Sequence, residues 1–118
     1  MKEILFKGKR VDNGEWVYGW YAPLVCNDKT VIPSIKDSNG IAWKVERNTV
    51  SQFTGLCDKN GKKIFEGDIV ESPNGTQGFI EWQNAECAFL VNIGDDWQTM
   101  DDCPYEVIGN IYDNKEEE

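Results

Sequence analysis

Histidine is absent from this sequence of 118 residues. Without it the chain lacks the commonest general base, the partner that activates Ser and Cys nucleophiles, and the ligand of most catalytic zinc sites. Cysteine is scarce, and no C-x-x-C pair occurs among Cys26, Cys57, Cys87 and Cys103. The sequence therefore predicts a protein that is not an enzyme, with no catalytic residue, no metal site and no cofactor.

Long hydrophobic runs are also missing. The longest uncharged stretch, residues 16–27, is too short to span a bilayer and contains Gly19, Pro23 and Asn27. Residues 1–7 carry three charges, which is too many for the apolar region of a signal peptide. Scattered cysteines with no export signal indicate reduced thiols. We expect a cytoplasmic protein with no membrane partner.

Positive charge is missing from the second half of the chain. Residues 64–114 contain no Lys or Arg but eleven Asp or Glu, whereas residues 1–56 hold eight Lys or Arg against six Asp or Glu. A long segment without cations cannot neutralise phosphates, so the second half is a poor nucleic-acid surface. A basic protein surface is the partner that this charge favours.

Helical periodicity is absent too, and turn residues interrupt the chain every eight to twelve positions. This rhythm is typical of an all-β protein. It predicts strands at 4–7, 16–21, 30–35, 42–46, 50–53, 69–72, 78–83, 88–93, 97–99 and 106–112. The segment 25–48 has the least regular pattern, and we expect loops there.

Two Asn-Gly dipeptides, at 13–14 and 60–61, favour type I′ hairpin turns. The pattern of residues 67–93 predicts a turn followed by a three-stranded meander, which is typical of an SH3-like barrel. The predicted fold class is mainly β, with α+β as the alternative. We expect a β-rich part over 1–56 packed with a small barrel over 57–114 in one compact unit, and a frayed acidic tail over 115–118.

Three blocks of sequence resemble the YopX family, small proteins encoded by bacteriophages and prophages. They comprise residues 4–10 running into 13–19, residues 49–56 followed by 58–70, and residues 106–114. The middle block carries the strongest likeness. The resemblance implies a β-rich fold, a phage origin and a cytoplasmic setting in a bacterial host. It implies no activity, because the family has none that transfers to individual residues.

Aromatic side chains are the most abundant candidates for a binding surface. Trp16, Tyr18 and Trp20 alternate along one predicted strand and so share one face. That face can serve sheet packing, which we favour, or protein docking. For the five tryptophans as a group, we expect three or more to be largely buried.

Paired carboxylates are the second candidate for protein binding. Asp95 and Asp96 precede the short strand at 97–99, and Asp101 and Asp102 follow it. Their spacing fits no calcium loop, so solvated loops are the favoured interpretation. The leading functional hypothesis is a phage accessory protein whose acidic half docks on a host or phage protein.

Two alternatives belong to other classes. Lys7, Lys9 and Arg10 form the main basic cluster. These cations could bind phosphate groups while the Trp16 ring stacks on bases. A nucleic-acid role is disfavoured because so few cations lie beside an acidic half. The third hypothesis is self-assembly, since the exposed strand edges of a small β protein pair readily with a second copy.

Overall fold

The computed structural model describes residues 5–94, 96–100 and 104–113. Within these ranges the regular structure is almost entirely strand, with one 3₁₀ turn at Arg47–Thr49 and no α-helix. The prediction of a mainly β protein is confirmed. None of the described segments is a helix long and apolar enough to cross a membrane.

The strands follow one another in short segments. They are β1 (Phe6–Lys9), β2 (Trp16–Tyr21), β3 (Leu24–Val25), β4 (Val31–Ile32), β5 (Ser34–Lys36), β6 (Ala42–Lys44), β7 (Ser51–Cys57), β8 (Lys63–Phe65), β9 (Asp68–Glu71), β10 (Gln77–Gln83), β11 (Ala88–Asn92), β12 (Trp97–Gln98) and β13 (Glu106–Asn110).

The chain forms two compact units, residues 1–53 and 54–118, and β7 runs through the boundary. In the first unit the strand order is β6-β5-β2-β1-β7, and β3 and β4 form a separate hairpin. One face of this sheet supplies the core, where Val17, Ile35 and Val45 are buried. The 25–48 segment contains four of these strands, β3 to β6 in whole or part, and is more regular than the sequence suggests.

The second unit contains a five-stranded antiparallel sheet in the order β12-β11-β10-β9-β13. Val70, Ile80 and Val91 share one face and form its core with Ile64. The predicted SH3-like barrel is not confirmed, because the described strands form an open sheet with β12 and β13 at its edges. With only two residues, β12 offers little backbone for closure.

The turns differ from the type I′ prediction. Only the glycine of each Asn-Gly pair has a positive φ, 74° at Gly14 and 86° at Gly61. At the second turn the Gly61 amide donates to the Asp58 carbonyl, and the Asp58 amide donates to the Lys62 carbonyl. This is a three-residue hairpin loop ending in a bulged glycine. The Asp58 carboxylate accepts a hydrogen bond from the backbone N–H of Asn60. This local bond fixes the first part of the turn, so that only the glycine adopts the left-handed conformation.

Candidate functional site

Charged side chains are segregated by strand in this protein. Those of β1, β2, β5 and β6 are all lysines, namely Lys7, Lys9, Lys36 and Lys44. Those of β9 to β13 are all carboxylates, namely Asp68, Glu71, Glu81 and Glu106. The charge asymmetry of the sequence is therefore a property of the two sheets and not only of their loops.

The three alternating aromatics of β2 share one face, as the sequence predicts. Val17 and Gly19 are buried, whereas Tyr18 is 49% and Trp20 55% exposed. Residues that face each other across antiparallel strands project to the same side. Lys9 is opposite Trp16, and Lys36 is opposite Trp20.

Lys44, opposite Ser34, falls on this side of β6 as well. We call this surface the lysine–aromatic face, and it consists of Lys9, Trp16, Tyr18, Trp20, Lys36 and Lys44. Towards β7 the same side of the sheet is buried, as Lys7 at 5% exposure shows. The accessible part of the face therefore lies over β2, β5 and β6.

The predicted basic cluster is divided between the two sides of the sheet. The Lys7 ammonium lies 4.4 Å and the Lys9 ammonium 5.6 Å from the centroid of the Trp16 ring. Arg10 lies on the opposite side, with its guanidinium carbon 3.8 Å from the Trp43 ring centroid. The cluster thus forms cation–π contacts within the first unit, on two surfaces.

Arg10 is held further by a bidentate contact with Asp12. Its Nε and Nη2 donate to the two carboxylate oxygens over 2.9 and 2.6 Å. These hydrogen bonds lower the pKa of Asp12 and raise that of Arg10. Its stacking partner Trp43 donates its indole N–H to Asp37 over 2.8 Å. Arg10 thus belongs to a chain of local contacts.

The tryptophans are more exposed than predicted, and the expectation that three or more are largely buried is wrong. Trp16 and Trp43 are half-buried and contact cationic side chains, and Trp20, Trp82 and Trp97 are exposed. The buried side chains of both cores are mainly Val and Ile. Trp43 packs against the margin of the first of these cores without being buried in it.

The outer side of the second sheet combines carboxylates with apolar groups. Ile69 and Phe79 are opposite each other, as are Glu81 and Leu90. Register and the two-residue repeat place their neighbours on the same side. We call this surface the acidic face, and it consists of Ile69, Glu71, Phe79, Glu81, Leu90, Trp97 and Glu106.

Two carboxylates of the acidic face are cross-strand neighbours. Glu71 in β9 is directly opposite Glu106 in β13. Glu71 accepts a hydrogen bond from the Gln77 amide over 3.0 Å, and Glu106 lies 3.7 Å from the Lys59 ammonium. Like charges directly opposite on a sheet repel each other. The repulsion between the two carboxylates is therefore relieved only in part, by the side-chain amide of Gln77 at Glu71 and by the exposed ion pair of Lys59 with Glu106.

Of the four predicted aspartates, only Asp96 lies within the described residues. Asp96 uses a carboxylate oxygen to accept the backbone N–H of Trp97 over 2.8 Å. Asp95, Asp101 and Asp102 lie outside the described residues. In the described ranges no cluster of three acidic or cysteine side chains could hold a metal ion.

Glu71, Glu81 and Glu106 share a surface that was not predicted from the sequence. A signal was present, because Ile69 and Glu71 in β9, and Phe79 and Glu81 in β10, have the same two-residue spacing. That repeat predicts one mixed face for each strand. It does not predict that β13 lies beside β9.

Comparison with protein families gives a match to the family described as YopX protein over residues 9–117. The fold is similar to the crystal structure of protein EF1440 from Enterococcus faecalis, with a TM-score of 0.63. That likeness covers 98% of both chains at 24% sequence identity, and it concerns the fold alone. No curated protein matched the sequence.

Proposed function

Because the chain belongs to the YopX family, we propose that it is a phage or prophage accessory protein that acts by binding another protein. In this proposal the protein is not an enzyme, it works in the cytoplasm of the bacterial host, and the acidic face is its docking surface. The partner presents a basic surface to that face.

The pairing of Glu71 with Glu106 is the observation that carries this proposal. A sheet gains nothing from two carboxylates in directly opposed positions, because their repulsion lowers its stability. Lysine or arginine side chains of a partner placed over this pair would remove the repulsion. Binding would then relieve the repulsion between Glu71 and Glu106 that is present in the free protein.

The apolar groups between the carboxylates support a protein partner rather than a simple counter-ion. Phe79 and Leu90 are half-buried, and Trp97 is 39% exposed. Aromatic and aliphatic anchors surrounded by polar groups are typical of the centre of a protein interface. The carboxylates would steer and orient the partner, and the apolar strip would supply contact area.

The test compares two triple variants with the same change in net charge. The first is Glu71→Gln, Glu81→Gln, Glu106→Gln on the acidic face. The control is Glu15→Gln, Glu46→Gln, Glu86→Gln, at exposed positions outside it. Tagged proteins are used to capture partners from host lysate with nuclease present, and mass spectrometry identifies what is bound.

We expect a partner that the wild type and the control retain and that the acidic-face variant loses. Binding should weaken as ionic strength rises from about 0.05 to 0.3 M, because salt screens exposed charges. Equal capture by the two variants, or binding that ignores salt, would show that the acidic face is not the docking surface.

The nucleic-acid alternative has less support. Of its four residues, Lys7 is buried, Lys9 lies near the Trp16 ring and Arg10 is stacked on Trp43. Its own test is the Lys9→Glu, Arg10→Glu variant. Retention on DNA or RNA that this variant loses would favour the nucleic-acid role over protein docking.

A further inference from the structure

We propose that a second copy of this chain is a partner of the acidic face, and that it contributes its lysine–aromatic face to the contact. This inference rests on the proposed function, because it names an occupant for the same docking surface. Copies would then associate head to tail through two different surfaces.

Charge complementarity is the first argument. The described strands that build the lysine–aromatic face contain lysines and no carboxylate, and those of the acidic face contain carboxylates and no cation. Lys36 and Lys44 are exposed on one face, while Glu71 and Glu81 are partly exposed on the other. Each face thus offers the charge that the other lacks.

The exposed aromatics are the second argument. Tyr18 and Trp20 project from the lysine–aromatic face with about half of their surface accessible. The acidic face offers Phe79, Leu90 and Trp97 as apolar contacts. Tyrosine and tryptophan are the residues most enriched at the energetic centres of protein interfaces.

The side chains on the two faces have the same spacing along their strands, which is the third argument. Side chains on one face of a strand repeat about every 6.5–7 Å. Trp16, Tyr18 and Trp20 follow this repeat on β2, and the pairs 69/71 and 79/81 follow it on β9 and β10. Rows of lysine and aromatic groups can therefore align with rows of carboxylate and apolar groups over more than one contact.

The symmetry of such an assembly follows from its two unlike surfaces. A contact between different patches of the same chain leaves one free patch on each end copy. Repeating this contact gives a ring if the rotation from one copy to the next returns to the first copy. It gives an open chain of copies if it does not. In either case the assembly is larger than the 13.5 kDa monomer.

The experiment uses two reversal variants of the full chain. One is Lys36→Glu, Lys44→Glu on the lysine–aromatic face, and the other is Glu71→Lys, Glu81→Lys on the acidic face. Mass is measured by light scattering during size exclusion at about 0.05 M and about 0.5 M salt. Circular dichroism and tryptophan fluorescence confirm that both variants fold.

We expect the wild type to assemble at low salt and to dissociate to 13.5 kDa at high salt. Each variant alone should be monomeric, because one of its two faces repels its counterpart. An equimolar mixture should give a species of at least twice the monomer mass, because each variant retains the face that the other has lost and the two reversed faces again carry opposite charges. The control Lys29→Glu, Lys62→Glu, at exposed positions in turns, should assemble like the wild type.

A wild type that stays at 13.5 kDa in low salt would overturn the inference, as would a mixture that stays monomeric. Assembly that survives both reversals would show that copies associate through other surfaces. The proposed function and the self-association can fail independently of each other. If the acidic-face variant still loses a captured host or phage protein while the mixture stays monomeric, docking holds and self-association fails.

Discussion

The backbone amide of Val107 in β13 donates a hydrogen bond to the Asp58 carboxylate over 3.0 Å, across 49 positions of sequence. The other carboxylate oxygen accepts the amides of Asn60 and Lys62 over 2.8 and 2.9 Å. One side chain thus shapes the turn between β7 and β8 and attaches it to the strand that carries Glu106. Asp58 supports the acidic face without belonging to it.

Replacing Asp58 with Ala should lower the free energy of unfolding by about 2 kcal/mol, because partly buried amides lose their acceptor. Asp58→Asn keeps one carbonyl oxygen and should lose about half as much. Urea unfolding followed by fluorescence measures both changes. An unchanged midpoint in the alanine variant would show that solvent replaces the carboxylate without cost.

Asp58 should also make stability depend on pH. Burial raises its pKa, but the hydrogen bonds from Val107, Lys62 and Asn60 outweigh this effect and hold the pKa below its ordinary value. A carboxyl whose pKa is lower in the folded state adds stability that is complete above its unfolded pKa of about 4. That contribution is lost as pH falls through the folded pKa.

The comparison that isolates this effect is wild type against Asp58→Asn at about pH 6 and about pH 3. The wild type should be the more stable protein at the higher pH, and its advantage should shrink in acid. An advantage that is the same at both values would contradict the assignment.

Gly78 in β10 should not tolerate a side chain. A Cβ there would lie 2.5 Å from the Asn92 carbonyl oxygen and 2.8 Å from a Val91 methyl group. Gly78→Ala should destabilise the protein by about 1–3 kcal/mol through forced separation of packed strands. Gly109→Ala in the same sheet is the control, because a Cβ at that position meets nothing within 4 Å. Equal urea midpoints for the two variants would contradict this prediction.

Removing one charge from the facing pair should stabilise the free protein. Glu71→Gln relieves the repulsion from Glu106 and should raise the unfolding free energy by about 0.2–1 kcal/mol. The gain should diminish at high salt, where screening already weakens the repulsion. Urea midpoints at two ionic strengths measure it. A loss of stability would mean that the acceptor role of Glu71 towards Gln77 is the larger effect.

Replacing Trp43 with Ala should lower the stability of the protein much more than replacing Trp20 with Ala. Trp43 packs against Arg10 and donates to Asp37, so its loss should cost about 2–3 kcal/mol. Trp20 is 55% exposed, and its loss should change stability by less than about 0.5 kcal/mol. Thermal unfolding followed by circular dichroism separates these cases. A large effect at Trp20 would indicate that its ring is structural.

The strands were predictable where one side is buried and the other exposed. Trp16–Tyr21 has the predicted bounds because its alternation with Val17 and Gly19 is clear in the sequence. In contrast, Lys63–Phe65 was not predicted, since three residues carry too little pattern. Side-chain hydrogen bonds support that strand, from Thr54 to the Ile64 carbonyl and from the Phe65 amide to Asp68.

The candidate site was only partly predictable for a related reason. The shared side of Trp16, Tyr18 and Trp20 follows from local spacing. The meeting of Glu71 with Glu106 depends on a pairing between strands that are distant in sequence. Composition shows an acidic half, but only the register shows which carboxylates face each other.

The placement of β13 beside β9 has a consequence for the order in which the second sheet forms during synthesis. Until Glu106–Asn110 has left the ribosome, β9 offers an unpaired edge, and the Asp58 carboxylate lacks its donor from Val107. Exposed strand edges are templates for aggregation. A nascent or prematurely terminated chain that lacks β13 therefore exposes a strand edge that chaperones and proteases can recognise.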